Sequence, residues 1–199
     1  MAVNRIVNSR RPVIGFSTNR LEYYDLGPES SVGSSLVLND PNWHLFTLDN
    51  KKREAIFVKI SEKTRIYEAP FLYEALFQHA AEVMSVPFTE FLLLAEQIAE
   101  PQQIVHLLSI GRCGSTLAHH LFHSAEGVLS ISEPDTYIAL TMARFELNDH
   151  DITELLRACC RFHFFAGANK QEHTLVVKHH SQALFMANQI RLANPSAKF

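Results

Sequence analysis

The chain has 199 residues, of which 47% are hydrophobic and 20% charged, and its formal net charge at pH 7 is −3. This composition excludes disordered, collagen-like and coiled-coil proteins, and at about 150 residues per domain the length allows one domain with an extension. The slightly negative charge predicts that nucleic acid is not a partner. The longest strongly apolar stretch, residues 91–95, is much shorter than the ~20 residues of a membrane span, so no membrane partner is predicted.

The cysteines and the N-terminal sequence indicate in which cellular compartment the protein is expected. The N-terminus is positively charged but continues into polar residues 17–20, where a secretory signal would have an apolar segment. Cys113, Cys159 and Cys160 make neither a disulfide framework nor a zinc-binding C-x-x-C pair. We therefore expect a cytoplasmic location.

Residues 1–100 predict an α+β region whose role the sequence does not reveal. Turn-forming residues in 1–42 indicate loops and short strands. Two β-prone runs, 43–48 and 55–60, flank the polar segment DNKKRE and predict a hairpin. Apolar residues at helical spacing then predict helices over 71–83 and 89–99, with a break at Val86-Pro87. The aromatic residues from Phe71 to Phe91 are predicted to lie in the core.

Residues 101–199 alternate between strand and helix patterns. Strands are predicted over 104–110, 128–131 and 175–177, and helices over 117–124, 136–147, 152–166 and 182–193. This order predicts an α/β fold with a P-loop-like parallel sheet flanked by helices, in which we place the second strand beside the first. Ligands of such sheets bind at the carboxyl ends of the strands.

The first of these strands leads into the turn Gly111-Arg112-Cys113-Gly114-Ser115-Thr116, which is followed by a helix. Free backbone N–H groups, the helix dipole, two hydroxyls and an arginine together favour a bound phosphate group. The turn differs from a Walker A loop because Ser115 stands at the lysine position, which disfavours ATP or GTP hydrolysis. A simple tight turn between strand and helix is the alternative.

The segment IGRCGSTL resembles the loop with which sulfotransferases bind PAPS (3′-phosphoadenosine 5′-phosphosulfate). SISEPD, LVVKHH and NPSAKF are similar, in the same order, to later motifs of that family, so the resemblance covers residues 103–199. It implies that Arg112, Cys113, Gly114, Ser115 and Thr116 hold the 5′-phosphosulfate of PAPS, which is the donor substrate. Cys113 stands where serine is commoner in the family.

The resemblance also implies the catalytic groups. Sulfuryl transfer needs a base for the acceptor proton and cations near the bridging oxygen. Glu133 matches the glutamate that acts as base in relatives with this Glu-Pro motif. Lys178 and His180 match the lysine and the catalytic histidine of cytosolic relatives. Either Glu133 or His180 is the base, and each has an alternative role as a cap of the helix that follows it.

The helix after the loop carries three histidines that could bind a metal. His119 and His123, or His120 and His123, have spacings that suit a pair of metal ligands, but we expect no metal because a third ligand is not identifiable.

The sequence does not identify the acceptor, which is a small molecule, a carbohydrate or a peptide, and it does not give the oligomeric state. In the family the 3′-phosphate is held by a strand that would begin near Phe199, so we expect an N-terminal portion of the fold and an incomplete nucleotide site. A non-catalytic phosphate-binding or nucleotide-binding module is the alternative function, and a P-loop kinase-like protein is a less favoured one.

Overall fold

The fold combines an antiparallel β-sheet with a small parallel one, and helices pack around both. The computed structural model describes residues 1–11, 21–60, 66–168 and 171–199. The mixed α/β class predicted from the sequence is confirmed at this level. The parallel sheet consists of three strands and lies in the second half of the chain.

The antiparallel sheet is formed by the first half of the chain. Its strands are β1 (Ala2–Arg10), β2 (Tyr24–Leu26), β3 (Ser30–Val32), β4 (Trp43–Asp49), β5 (Glu54–Ile60) and β6 (Ala80–Pro87). The strands follow one another across the sheet in the order β2, β1, β6, β5, β4, and β3 pairs with β1. The hairpin of β4 and β5, in which Trp43 lies opposite Lys59, confirms the sequence prediction.

The structure differs from the sequence prediction for this half in three respects. Residues 80–83 were expected in a helix but belong to β6, which lies between β1 and β5 in the middle of the sheet. The helices on either side are shorter than predicted: α2 is Leu72–His79 and α3 is Phe88–Ala95. Val83 and Val86 are buried in β6, and pairing on both edges outweighs the local helical spacing. The nine-residue β1 is also longer than the short strands expected there.

The remaining helices lie mainly in the second half. They are α1 (Leu36–Asn39), α4 (Ser115–His123), α5 (Asp135–Ala143), α6 (Asp149–Gly167) and α7 (Ala187–Ala193), with 3-10 turns at Leu21–Tyr23, Ile66–Glu68 and Ser181–Met186. The Asn148 side chain accepts the Asp151 N–H at 2.9 Å and so caps α6. In the part of the chain that the structure describes, no helix has both the length and the apolar character that crossing a bilayer requires.

The parallel sheet consists of β7 (Gln103–Leu107), β8 (Val128–Ser132) and β9 (Thr174–Lys178), with β9 in the middle. The expectation that the second strand lies beside the first is therefore wrong, because the third strand separates them. Every residue of β9 is buried, which fits a strand with hydrogen-bonded neighbours on both sides. Only backbone pairing between segments distant in the chain decides this order.

The other edge of β7 meets the C-terminal residues. The His106 N–H donates to the Lys198 carbonyl, and the Lys198 N–H donates to the Ile104 carbonyl, each at 2.9 Å. Val105 and Lys198 form a parallel bridge. The C-terminal segment therefore lies along β7 in the direction of a fourth parallel strand.

One hydrophobic core joins the two halves of the chain. Phe162 of α6 stacks on Phe91 of α3 and meets Phe57 of β5 edge-on, each with ring centroids 5.0 Å apart. Each such aromatic pair contributes about 0.5–1.5 kcal/mol beyond the burial of its area. Cys159 and Cys160 are buried in the same helix, and burial raises the pKa of Cys160 to about 11. Both cysteines therefore belong to the core.

Five of the eleven histidines are buried. They are His44, His106, His119, His163 and His179. His163 Nε2 lies 3.0 Å from the Thr136 hydroxyl, and His106 Nδ1 lies 2.9 Å from His179 Nε2. Burial disfavours the imidazolium form, and it lowers the pKa of His106 to about 4 and that of His163 to about 3. The fold therefore holds neutral imidazoles.

We predict that acid unfolds this protein largely through these histidines. Their folded-state pKa values lie below the ordinary value of about 6.5, so the unfolded chain binds more protons once the pH falls below 6.5. The stability that the neutral rings contribute is complete above that pH and is lost progressively toward pH 3–4. Urea unfolding at half-unit steps from pH 8 to pH 4 should show a free energy of unfolding that falls by up to about 1.4 kcal/mol per pH unit for each histidine.

The control compares two histidines. His163→Gln should make the free energy of unfolding depend less steeply on pH, because one buried proton acceptor is lost. His150→Gln is the control, because it makes the same substitution at an exposed position. Equal slopes for both variants would contradict the prediction.

Candidate functional site

The loop between β7 and α4 is open to solvent. Gly111, Arg112, Cys113 and Gly114 are all exposed. Arg112 and Gly114 have φ angles of 67° and 85°, in the left-handed region that glycine adopts readily and arginine rarely does. The segment therefore turns sharply at the carboxyl edge of the parallel sheet, where its backbone groups are accessible.

The first turn of α4 follows this loop. Its N-cap residue is Gly114, which has no side chain to accept a hydrogen bond from the N–H groups of the first turn. Cys113 is exposed, whereas a small residue that only fills space inside a tight turn would be buried. Hydrogen bonds from the Ser109 side chain and the Ser115 backbone lower the pKa of the Cys113 thiol. The same groups are suited to stabilise an anion.

Glu133 and Lys178 form an ion pair at the carboxyl ends of β8 and β9. Only 11% of the Glu133 side chain and 4% of the Lys178 side chain are exposed. The Glu133 N–H also donates to the Lys178 carbonyl at 2.7 Å. Glu133 has a φ of 50°, a strained conformation for a non-glycine residue that these two contacts hold in place.

Residues from the first half of the chain cover the ion pair. Lys178 Nζ lies 5.8 Å from the centre of the Phe71 ring, and the Ser132 hydroxyl donates to the Pro70 carbonyl at 2.6 Å. Burial, together with the charge of Glu133, raises the pKa of Tyr73. The sequence assigned Phe71 and Tyr73 only to the core. No local motif marks them as neighbours of Lys178, since the contact depends on tertiary packing.

The three residues that end β9 have different environments. Lys178 reaches Glu133, whereas His179 is buried against the Tyr137 ring at a centroid distance of 4.5 Å. His180 begins the 3-10 turn that follows, where its Nδ1 accepts the Gln182 N–H at 3.4 Å. The structure thus brings Lys178 and Glu133 together. His180, the third predicted catalytic residue, caps the turn that follows β9, which is the alternative role predicted for it.

The three histidines of α4 lie in different environments. His119 is buried, and its Nδ1 lies 2.8 Å from the Ser130 hydroxyl of β8. His120 is exposed, and His123 Nε2 lies 3.7 Å from a carboxylate oxygen of Glu68. Among the residues that the structure describes, no group of three or more metal-ligating side chains is close enough together to hold an ion.

Comparisons with known proteins find no match. No protein-family model fits the chain, and searches of curated proteins and of solved structures find no significant similarity.

We predict that Lys178→Met destabilises the fold by about 3–5 kcal/mol, because it leaves the Glu133 carboxylate buried without its partner. The double variant Lys178→Met/Glu133→Gln should be more stable than Lys178→Met, because it removes the orphaned charge. Urea unfolding at pH 7.5 measures both.

The matched control is the partly exposed pair of Arg157 and Glu154 on α6. Glu154→Gln should cost less than about 1 kcal/mol, as is typical of ion pairs near the surface. If Lys178→Met lowers the free energy of unfolding no more than Glu154→Gln does, the buried ion pair does not stabilise the fold as predicted.

Proposed function

We propose that this protein binds PAPS at residues 111–116 and transfers its sulfuryl group to a hydroxyl or amine acceptor. The observation that carries the proposal is the meeting of Lys178 and Glu133 at the carboxyl edge of the sheet whose first strand leads into the loop. The motif resemblance described above supplies the substrate.

The donor end is supported by the form of the loop. An exposed turn followed by the N-terminus of a nine-residue helix offers backbone N–H groups and the positive end of a helix dipole to a phosphosulfate. Arg112 is exposed in this turn and carries a positive charge. Ser115 and Thr116 begin α4 and add two hydroxyl donors.

The proposed P-loop-like arrangement is supported by the parallel sheet. Three parallel strands occur in the order β7, β9, β8, and each is followed by a helical segment. The pairing of Lys198 with the free edge of β7 continues the parallel pattern on the side away from β9.

The proposed step is an in-line transfer at sulfur. The acceptor oxygen or nitrogen attacks the sulfur atom, the bond from sulfur to the bridging phosphate oxygen breaks, and 3′,5′-bisphosphoadenosine leaves. Glu133 takes the acceptor proton. Lys178 stabilises the negative charge that builds on the bridging oxygen. Glu133 must exchange its contact with Lys178 for one with the acceptor during this step.

A non-catalytic phosphate-binding protein is the second candidate. The observation that favours it is the closed state of the ion pair, in which Glu133 and Lys178 are nearly buried and bound to each other. Such a protein would use the loop without the pair. Binding of PAPS without transfer to any acceptor would distinguish it from the enzyme.

We predict that Arg112→Ala weakens PAPS binding about 10-fold or more, because charge-assisted hydrogen bonds contribute about 1.5–3 kcal/mol each. Isothermal titration calorimetry with PAPS and with ATP–Mg measures the effect. Arg191→Ala is the matched control, since Arg191 is an exposed arginine of α7 outside the loop. Unchanged PAPS binding in Arg112→Ala, or binding of ATP–Mg as tight as that of PAPS, would overturn the proposed site.

We predict that Glu133→Gln lowers the turnover number about 100-fold or more, as expected for the loss of a general base. His180→Ala should retain most of the turnover, because His180 caps its own turn. Transfer of labelled sulfate from PAPS to a panel of alcohols and amines is the assay, with PAPS binding by calorimetry as the check on folding and donor affinity. The opposite result would assign the base to His180.

A further inference from the structure

His179 is a buried histidine that the proposed reaction does not use. It follows Lys178, the last residue of β9, and only 1% of it is exposed. Its backbone N–H donates to the Leu107 carbonyl at 3.0 Å. Leu107 ends β7, and the loop to α4 begins directly after it. His179 therefore joins the strand that carries Lys178 to the strand that leads into residues 111–116.

The side chain of His179 makes a second contact with β7. Its Nε2 lies 2.9 Å from Nδ1 of His106, which is fully buried in that strand. The ring of Tyr137 in α5 lies almost perpendicular to the His179 ring, with a centroid distance of 4.5 Å. The backbone contact and the imidazole contact thus both fix the end of β9 against the end of β7.

The positions of the protons on the two rings follow from Asn194. Its Nδ2 lies 3.5 Å from the Ile190 carbonyl and 3.4 Å from His106 Nε2. A carbonyl oxygen can only accept, which identifies this amide atom as the nitrogen and makes His106 Nε2 an acceptor. Burial lowers the pKa of both histidines, so each neutral ring carries one proton. His106 therefore donates from Nδ1 to His179 Nε2, and the proton of His179 lies on Nδ1.

This N–H group of His179 has no hydrogen-bond partner among the residues that the structure describes. A buried donor without an acceptor lowers the stability of a fold, and such groups are rare in native proteins. The pair of His106 and His179 is thus kept in this arrangement at a cost in stability. Such costs concentrate at functional sites, where a particular geometry is required.

We propose that the hydrogen bond between His106 and His179 positions Lys178 relative to residues 111–116, and that sulfuryl transfer depends on this positioning. His179 is a positioning residue, because it acts through Lys178 and does not touch the substrate. The part of this inference that concerns transfer rests on the proposed function. Lys178 stabilises the leaving oxygen of a phosphosulfate that residues 111–116 hold, so both must meet at one bond.

The test exchanges each histidine for asparagine and for glutamine. The amide of asparagine takes the place of an imidazole Nδ1, and the amide of the longer glutamine takes the place of Nε2. The pair uses Nε2 of His179 but Nδ1 of His106. His179→Gln and His106→Asn therefore keep the hydrogen bond, whereas His179→Asn and His106→Gln lose it.

The two variants that lose the bond should lower kcat for transfer of labelled sulfate from PAPS at least about 10-fold, with less than about a 3-fold change in the Kd of PAPS. The two that keep it should retain kcat within about 3-fold. If the histidines only fill space, the larger glutamine is the better replacement at both positions. The same order of asparagine and glutamine at both positions, or an equal kcat for all four variants, would overturn the proposal.

A second measurement does not depend on PAPS. Lys178→Arg keeps the positive charge beside Glu133 but changes its geometry, so its effect on stability reports how firmly Lys178 is positioned. Urea unfolding at pH 7.5 gives the unfolding equilibrium constants of Lys178→Arg alone and combined with His106→Gln or His106→Asn. The effect of Lys178→Arg should differ from that in wild type at least about 3-fold with His106→Gln and less than about 2-fold with His106→Asn. A smaller coupling with His106→Gln, or an equal coupling with both, would overturn the proposal.

His44→Gln is the matched control. It replaces another buried histidine, whose Nδ1 lies 2.7 Å from the Tyr67 hydroxyl, and it loses that contact as His106→Gln loses its own. It should change neither kcat nor the effect of Lys178→Arg, because His44 lies in β4 of the antiparallel sheet.

The two measurements separate this proposal from the proposed function. If the wild type transfers no sulfate to any alcohol or amine of the panel, the transferase is refuted, and the coupling alone decides whether the pair positions Lys178. If transfer occurs without the opposite orders at the two positions, the transferase stands and the positioning role is refuted.

Discussion

The buried ion pair of Lys178 and Glu133 is the constraint on which the arrangement of the candidate site depends. An unpaired charge at so buried a position would lower the stability of the fold by several kcal/mol, so each of these residues requires the other. Their pairing joins the ends of β9 and β8, and it helps to hold Glu133 in its left-handed backbone conformation. The carboxyl edge of the parallel sheet is thereby shaped by the contacts between two residues that lie 45 positions apart in the chain.

Residues from the first half of the chain shield the ion pair of Lys178 and Glu133, which lies in the second half. Pro70 accepts a hydrogen bond from Ser132, and the Phe71 ring faces the Lys178 ammonium group. The phenylalanine cluster of β5, α3 and α6 also joins the two halves of the chain. A residue that ends a strand would ordinarily meet solvent. Here the α+β region shields it, which strengthens the electrostatic interaction within the pair.

The segment SISEPD connects the parallel sheet to helix α5 and, through it, to the antiparallel sheet. Glu133 follows β8 and pairs with Lys178 at the carboxyl edge of the parallel sheet. Asp135 begins α5, where it accepts a hydrogen bond from the Thr47 hydroxyl of β4. Two carboxylates only two residues apart thus make contacts with two different sheets.

The sequence by itself determined the elements with strong local signals. Two β-prone runs on either side of a polar segment predict the hairpin of β4 and β5, and short apolar runs between turn residues predict the three parallel strands. Glycine in GRCGST predicts the turn, and Gly114 has the positive φ that glycine tolerates. Tertiary structure decided the rest. The central positions of β6 and β9, the cover of Phe71 and Tyr73 over the ion pair, and the Thr47–Asp135 contact all depend on pairing or packing between distant segments. Local propensity carries no information about such partners, because the free energy that selects them is gained only when the distant segments meet.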